Sequence, residues 1–279
     1  MKQGNGKFRG CEGIKVFWQC WHAENPVAVM IVAHGLGEHG GRYAELAHAL
    51  VAKNITVYAI DHRGHGQSYG HRGAINRFQY CIEDLDQLVD KVTEEHKLPL
   101  LLLGHSMGGA ISVGYTLQHQ DKLSALLLSG AALASDVVNA PVKALCGLIS
   151  VFAPNLPAFA VAPELVSRDP AAVADYSADP LNLSSRVPLK TISEMVNTIA
   201  KLPPQFERIR LPIFIMHGSD DKLIPAAASE AFNAKISSTD KQLKIYPGLY
   251  HEILNELPED RRQVVSDIVA WVSERYPAA

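Results

Sequence analysis

The stretch LPLLLLGHSMGGAISVGYTLQHQ, Leu98–Gln120, decides how the rest of the chain is read. Its apolar run Leu98–Leu103 has the continuity of a strand covered on both faces. Past Gly104-His105-Ser106-Met107-Gly108, the small residues Gly109, Ala110 and Ile111 open a helical pattern. The order is strand, sharp turn, helix, with a serine at the apex. A crowded turn needs residues without side chains beside its apex, and Gly104 and Gly108 supply them. The serine hydroxyl then stands at the carboxyl end of a sheet. The helix N-terminus behind it offers free N–H groups to developing negative charge. A bare G-x-S-x-G arises by chance in roughly one chain of this length in ten. The motif therefore needs support from the rest of the chain.

That support comes first from rhythm. Residues 7–21, with Phe8, Phe17, Trp18 and Trp21, predict an opening hairpin. Val27–Ala33 is a second buried strand, followed by the glycine-rich loop His34–Arg42 and a helix over Tyr43–Lys53 that Asn54 closes. Thr56–Ile60 is a strand ending in DHRGHGQS, residues 61–68. Phe78, Cys81, Ile82, Leu85, Leu88, Val89 and Val92 form the apolar face of a helix; Glu83, Asp84, Asp86, Asp90 and Lys91 are expected on its solvated faces. Leu123–Leu128 is a further strand. Alternating strands and helices predict an α/β fold with a mostly parallel central sheet and helices on both faces.

Between about Ser135 and Arg208 the rhythm stops. No convincing strand is predicted there, and apolar helical pieces alternate with prolines. This segment, 135–208, reads as a helical cap inserted into a core made of 1–134 and 209–279. The strand Leu211–Met216, a helix over Pro225–Ile236, the strand Gln242–Tyr246 and a closing helix Pro258–Tyr276 resume the pattern.

Composition excludes several classes. The 279 residues are 47% hydrophobic and 20% charged, enough apolar material for a large core. A net charge of −3 without a basic stripe argues against a nucleic-acid partner. Cys11, Cys20, Cys81 and Cys146 are far apart and lack a C-x-x-C, so they read as free thiols of a reducing, cytoplasmic compartment. The polar start MKQGNGKFRG has no apolar core, so no signal peptide is expected. The uncharged run Ala144–Pro163 is broken by Pro154 and Pro157 and reads as a buried or interfacial helix, not a membrane span.

A serine is a poor nucleophile without a base, and the base needs an orienting acid. The G-x-S-x-G turn is the nucleophile elbow of α/β-hydrolases, in which the chain order is serine, acid, histidine. Of twelve histidines, His251 alone follows the aspartates that come after the insertion, which makes it the general base for Ser106. Asp220 and Asp221, after the Leu211–Met216 strand, both qualify as the acid, and spacing does not choose between them. The oxyanion needs two backbone N–H groups: Met107, after the nucleophile, and Leu36, in the glycine-rich loop. The pairs His34/His39 and His62/His65 raise a metal reading. It is set aside because the serine machinery already accounts for hydrolysis and no H-E-x-x-H helix is present. No cofactor is expected.

HGLGEH…GRY (34–43), DHRGHGQS (61–68), GHSMGG (104–109), Tyr176…Asp179-Pro180-Leu181, HGSDD (217–221) and Tyr250-His251 together resemble the monoacylglycerol lipases and related lysophospholipases. The likeness runs from about residue 7 to residue 275. It implies that the acid is Asp221, and it supports Leu36 and Met107 as oxyanion donors. It also implies that Glu38, Arg42, His105 and Tyr176 hold the glycerol end of a lipid ester. An acyl chain would need an apolar tunnel, which Ala144–Pro163 can wall while also touching a membrane or lipid surface; the alternative is that this run packs only onto the core. The implied reaction is hydrolysis of a monoacylglycerol to fatty acid and glycerol. A lysophospholipase, short-chain carboxylesterase or thioesterase of the same fold is the neighbouring reading. A non-catalytic ligand-binding relative is the distant one, and the complete set of triad candidates argues against it.

Overall fold

The computed structural model describes residues 2–134, 140–183 and 185–278. The chain opens with the antiparallel hairpin β1 (Lys2–Arg9) and β2 (Lys15–His22). Then follow β3 (Ala28–Ala33), α1 (Ala44–Val51), β4 (Ile55–Asp61), α2 (Phe78–His96), β5 (Leu100–His105), α3 (Met107–His119) and β6 (Ala125–Ser129). The next elements are α4 (Ala140–Phe152), β7 (Pro157–Phe159), α5 (Pro170–Ala178), β8 (Val187–Pro188) and α6 (Leu189–Ile199). β9 (Ile213–Gly218), α7 (Ala227–Lys235), β10 (Lys241–Tyr246) and α8 (Pro258–Arg275) complete the chain. The helix expected from Tyr43 begins one residue later, after a 3-10 turn over Gly40–Tyr43, and Asn54 takes the left-handed conformation at φ 60°.

Eight strands form one sheet in the order β1-β2-β4-β3-β5-β6-β9-β10. From β4 through β10 every neighbouring pair is parallel, while β2 runs antiparallel to β4. The chain steps outward from β3 to β4, returns to β5 on the other side of β3, and continues away from it. The reversal opens a crevice at the carboxyl ends of β3 and β5, the place where ligands bind in such sheets. Side-chain alternation divides the interior. Val29, Ile31 and Ala33 pack with α2 and α3, whereas Met30 and Val32 pack with α1 and α8. Both faces are thereby covered, and β3 to β6 are buried along their whole length.

One expectation for α2 fails. Asp84 is buried, not solvated: its carboxylate accepts from Arg63 Nε and Nη2 at 2.8 and 3.0 Å and from the Cys11 N–H at 2.9 Å. Arg63 comes from the loop after β4 and is itself buried, so the acid is drawn inward by a charge that helical periodicity does not register. Cys11, Cys20, Cys81 and Cys146 are free thiols.

The segment between β6 and β9 adds no strand to the large sheet among the described residues. The expected start of the insertion at Ser135 lies outside the described residues. Contrary to the strandless expectation, β7 and β8 pair as a small antiparallel ribbon. Many polar contacts tie the segment down, among them an ion pair of His39 with Asp179 at 2.8 Å and one of Arg168 with Glu256 at 3.0 Å. Thr191 Oγ1 donates to Gly73 O at 2.7 Å and accepts from Ile75 N at 2.8 Å, and Leu183 N donates to Gly37 O at 2.8 Å. The outer side of α4 carries Leu148, Val151 and Phe152, exposed by 61, 67 and 81%, so this run does not pack only onto the core. Among the described residues, no helix is long and apolar enough to cross a membrane.

His34, His62 and His65 cluster behind the ends of β3 and β4, with ring centroids 4.6 and 5.4 Å from that of His34. Burial lowers the pKa of His62 to about 3 and of His65 to about 4, so both rings are neutral in the folded protein. Unfolded, each ring takes up a proton near pH 6.5. The unfolded chain therefore binds more protons than the folded one below pH 6.5, and stability falls as pH falls toward 4. Two outcomes follow. Urea unfolding free energies should be level above pH 7 and decline from pH 6.5 to 4, with a shallower decline in His65→Gln; equal slopes would contradict a buried neutral His65. Asp84→Ala strands the buried Arg63 charge and should cost about 3–5 kcal/mol in the same measurement, whereas exposed Asp90→Ala should cost under about 0.5 kcal/mol.

Candidate active site

Ser106 sits between β5 and α3 at φ 51°, ψ −118°, a conformation that side-chain-bearing residues rarely adopt. The turn is held by Ser106 N donating to Ser129 O and Ala132 N donating to Ser106 O, both at 3.0 Å. There is no room beside it. A Cβ on Gly104 would fall 2.4 Å from Ser112 Oγ, and one on Gly108 would fall 2.0 Å from Ala33 O. The glycines are needed for this close approach; the positive φ falls on the serine itself.

His251 lies in the loop after β10, with Nε2 2.8 Å from Ser106 Oγ and Nδ1 2.6 Å from Asp221 Oδ2. A carboxylate can only accept, so Nδ1 carries the proton and Nε2 presents its lone pair to the serine hydroxyl. Asp221 lies in the loop after β9, and its Oδ1 accepts from Leu223 N at 2.8 Å and Ile224 N at 2.9 Å. Burial alone would raise its pKa. Hydrogen bonds from His217, His251 and the Ile224 N–H overcome burial and hold Asp221 well below the usual carboxylate range. Asp220 is exposed and accepts instead from Ser219 Oγ at 2.6 Å. Of the two aspartates that spacing left open, Asp221 is the one beside His251.

Leu36 and Met107 line one cavity with Ser106 and His251. Among the described residues, neither of their backbone N–H groups has an acceptor. The Leu36 loop is braced from below. Glu38 Oε1 accepts from Gly35 N at 2.6 Å and Tyr43 OH at 2.8 Å. Arg42 Nη1 donates to Glu38 Oε2 at 2.9 Å. The same guanidinium grips Glu252 with two bonds of 2.7 and 2.6 Å, Nη1 to Oε1 and Nη2 to Oε2. Glu252 directly follows His251, so Glu38, Arg42 and Glu252 join the loop of Leu36 to the loop of His251. Burial opposes the charge on Arg42, and Glu252 and Glu38 more than compensate, keeping it firmly protonated.

The cavity has a volume of about 240 Å³. Glu38, His105, Tyr176 and Glu252 line it at polar positions, whereas Arg42 lies behind the lining, committed to its two carboxylates and stacked 4.8 Å from the Tyr176 ring. His105 donates from Nδ1 to Ser129 O at 2.9 Å, and its ring lies 4.8 Å from that of His251. Burial, with His251 nearby, lowers the His105 pKa, which leaves the ring neutral. Phe159, Val161, Val166 and Met195, all from the segment between β6 and β9, give apolar wall. Glu252 and His217 were not assigned roles from sequence. Both lie within or beside motifs already singled out, yet their partners are set only by the folded loops.

The family model described as serine aminopeptidase, S33, matches residues 24–258. A monoacylglycerol lipase of Mycolicibacterium smegmatis is 36% identical over 268 residues, covering 95% of each chain. A monoglyceride lipase of Mus musculus is 35% identical over 272 residues, covering 96% of this chain and 90% of the other. The solved structure of a Paleococcus ferrophilus monoacylglycerol lipase superposes with a TM-score of 0.83 at 28% identity, covering 98% of this chain and 99% of that one. With both the sequence motifs and the fold matched from end to end, the chain belongs to the monoacylglycerol lipase family of α/β-hydrolases.

Proposed function

We propose that the protein hydrolyses monoacylglycerols to fatty acid and glycerol by a Ser106–His251–Asp221 triad. The observation that carries this reading is the unbroken line of hydrogen bonds, 2.8 then 2.6 Å, from serine to imidazole to carboxylate at the floor of a cavity with polar and apolar walls. His251 Nε2 takes the Ser106 proton as Oγ attacks the ester carbonyl. The N–H groups of Leu36 and Met107 receive the oxyanion. The tetrahedral intermediate expels glycerol as His251 returns the proton to the departing oxygen. A water then enters, gives its proton to His251 and attacks the acyl-enzyme; a second collapse frees the fatty acid and restores Ser106.

The polar positions suit a diol. His105, with Nδ1 used, keeps Nε2 as an acceptor, and Tyr176 and Glu38 line the same cavity. Arg42 serves from behind by fixing Glu38 and Glu252. We assign 135–208 as a cap over the core formed by 1–134 and 209–279. Its inner residues line the acyl path and its exposed α4 face, Leu148, Val151 and Phe152, meets lipid surfaces transiently.

Two experiments test this. In purified, folded variants Ser106→Ala and Asp221→Asn should each lower turnover about 10⁴-fold, and Asp220→Asn by less than about twofold; equal losses in the two aspartate variants would mean the acid is misassigned. Rates should then be measured over monoacylglycerols of increasing chain length, p-nitrophenyl esters and lysophospholipids. The expected order has uncharged glycerol esters first, with Phe152→Asp slowing only dispersed long-chain substrates; a preference for charged head groups would defeat the glycerol reading.

A further inference from the structure

Asp221 has a second imidazole. His217, the fifth residue of β9, is wholly buried, and its Nε2 lies 3.0 Å from Asp221 Oδ2, the oxygen that also accepts from His251 Nδ1. The same Nε2 is 3.0 Å from Ile224 O. Both neighbours are pure acceptors, so Nε2 carries a proton and donates. Nδ1 is 2.7 Å from Ser229 Oγ on α7, whose hydroxyl can donate to the remaining lone pair of a neutral ring. A line of hydrogen bonds thus continues past the triad: Ser106, His251, Asp221, His217, Ser229.

We propose that His217 is a positioning residue of this site: as the second imidazole donor on Asp221 Oδ2, it sets how strongly that oxygen holds the His251 imidazolium. The proposal rests on the triad reading above. Oδ1 is already satisfied by two backbone N–H groups, so the carboxylate stays in place if His217 is lost. What changes is the share of Oδ2 charge available to His251. With the competing donor gone, the His251 imidazolium is better stabilised, and a base that holds its proton more tightly is a poorer base at neutral pH. The other groups facing this pair are His105 beside the His251 ring, Lys222 and Glu38 on the cavity wall, and Glu252 paired with Arg42. None of them bonds to Asp221, so they leave the contribution of His217 distinct.

The test is the pH dependence of kcat/KM on a soluble short-chain ester, measured with the full chain. His217→Leu, which has no donor, should lower kcat about 10-fold with KM within about twofold, and should move the acidic limb to higher pH. His217→Gln, whose amide can donate to Oδ2, should recover most of the rate and the limb position. A folded His217→Leu with unchanged rate and limb overturns the proposal, as does a glutamine variant no better than leucine. Should His217→Leu not fold, Ser229→Ala, which removes the hydrogen bond that Nδ1 accepts and so makes Nε2–H a weaker donor to Asp221, should shift the limb in the same direction by less, and no shift overturns the role. Asp221→Asn is run alongside. Retained activity there removes the triad reading itself, whereas lost activity there with a silent His217→Leu removes only His217.

Discussion

The buried carboxylate of Asp221 is the constraint on which the site depends. A carboxylate with a fully buried side chain costs several kcal/mol unless its lone pairs are occupied, and here four donors occupy them: two backbone N–H groups and two imidazoles. The donors come from the end of β9, the turn after it and the loop after β10, so those segments must meet within hydrogen-bond distance. Gly218 permits the meeting, since a Cβ there would lie 2.3 Å from the carbonyls of Leu249 and Tyr250. Parallel pairing of β9 with β10 puts both loops at the same sheet edge as the elbow after β5. Stability and chemistry share one geometry: the interactions that make the charge tolerable are the ones that aim His251 at Ser106.

A second buried assembly supports the opposite wall. Glu38, Arg42 and Glu252 would be costly singly, but two carboxylates around one bidentate guanidinium form a satisfied network. Its members belong to the loop of Leu36 and the loop of His251, so a displacement of either strains the other. Leu183 N bonded to Gly37 O, and Glu252 N bonded to Val166 O at 2.7 Å, extend the coupling to the segment between β6 and β9.

The parts legible in the sequence share a property: each is specified within a few residues of itself. β3, β5 and β6 are continuous apolar runs between turn residues, and the elbow is one pentapeptide. His251 and Asp221 rest on signals of another kind, chain order for the first and family resemblance for the second. The misread parts depend on partners distant in sequence. Asp84 lies on the polar side of a helical repeat but is claimed by Arg63, 21 residues earlier. Glu252 reaches Arg42 across 210 residues. β7 and β8 hold three and two residues and contain prolines, so no period-2 pattern can build up in either. Arg42 was placed among the residues that hold substrate, yet its donors to Glu38 and Glu252 put it a layer behind.

The same distinction separates reaction type from substrate choice. A triad and an oxyanion hole are demanded by any ester, and the residues proposed for them sit on the rigid sheet edge, where sub-ångström placement is maintained. The alcohol and acyl ends of a substrate differ between esters, and the cavity is lined by residues from both the sheet loops and the segment between β6 and β9. That segment is fastened by polar contacts spread over both sides of the site, among them Thr191 to Gly73 and Ile75, Leu183 to Gly37, Asp179 to His39 and Arg168 to Glu256, while the outer face of α4 keeps an apolar surface open to solvent. An element that makes no bond to Asp221 can change its wall residues without disturbing that carboxylate. Such a division allows one catalytic core to be kept while the lining of its cavity is rewritten.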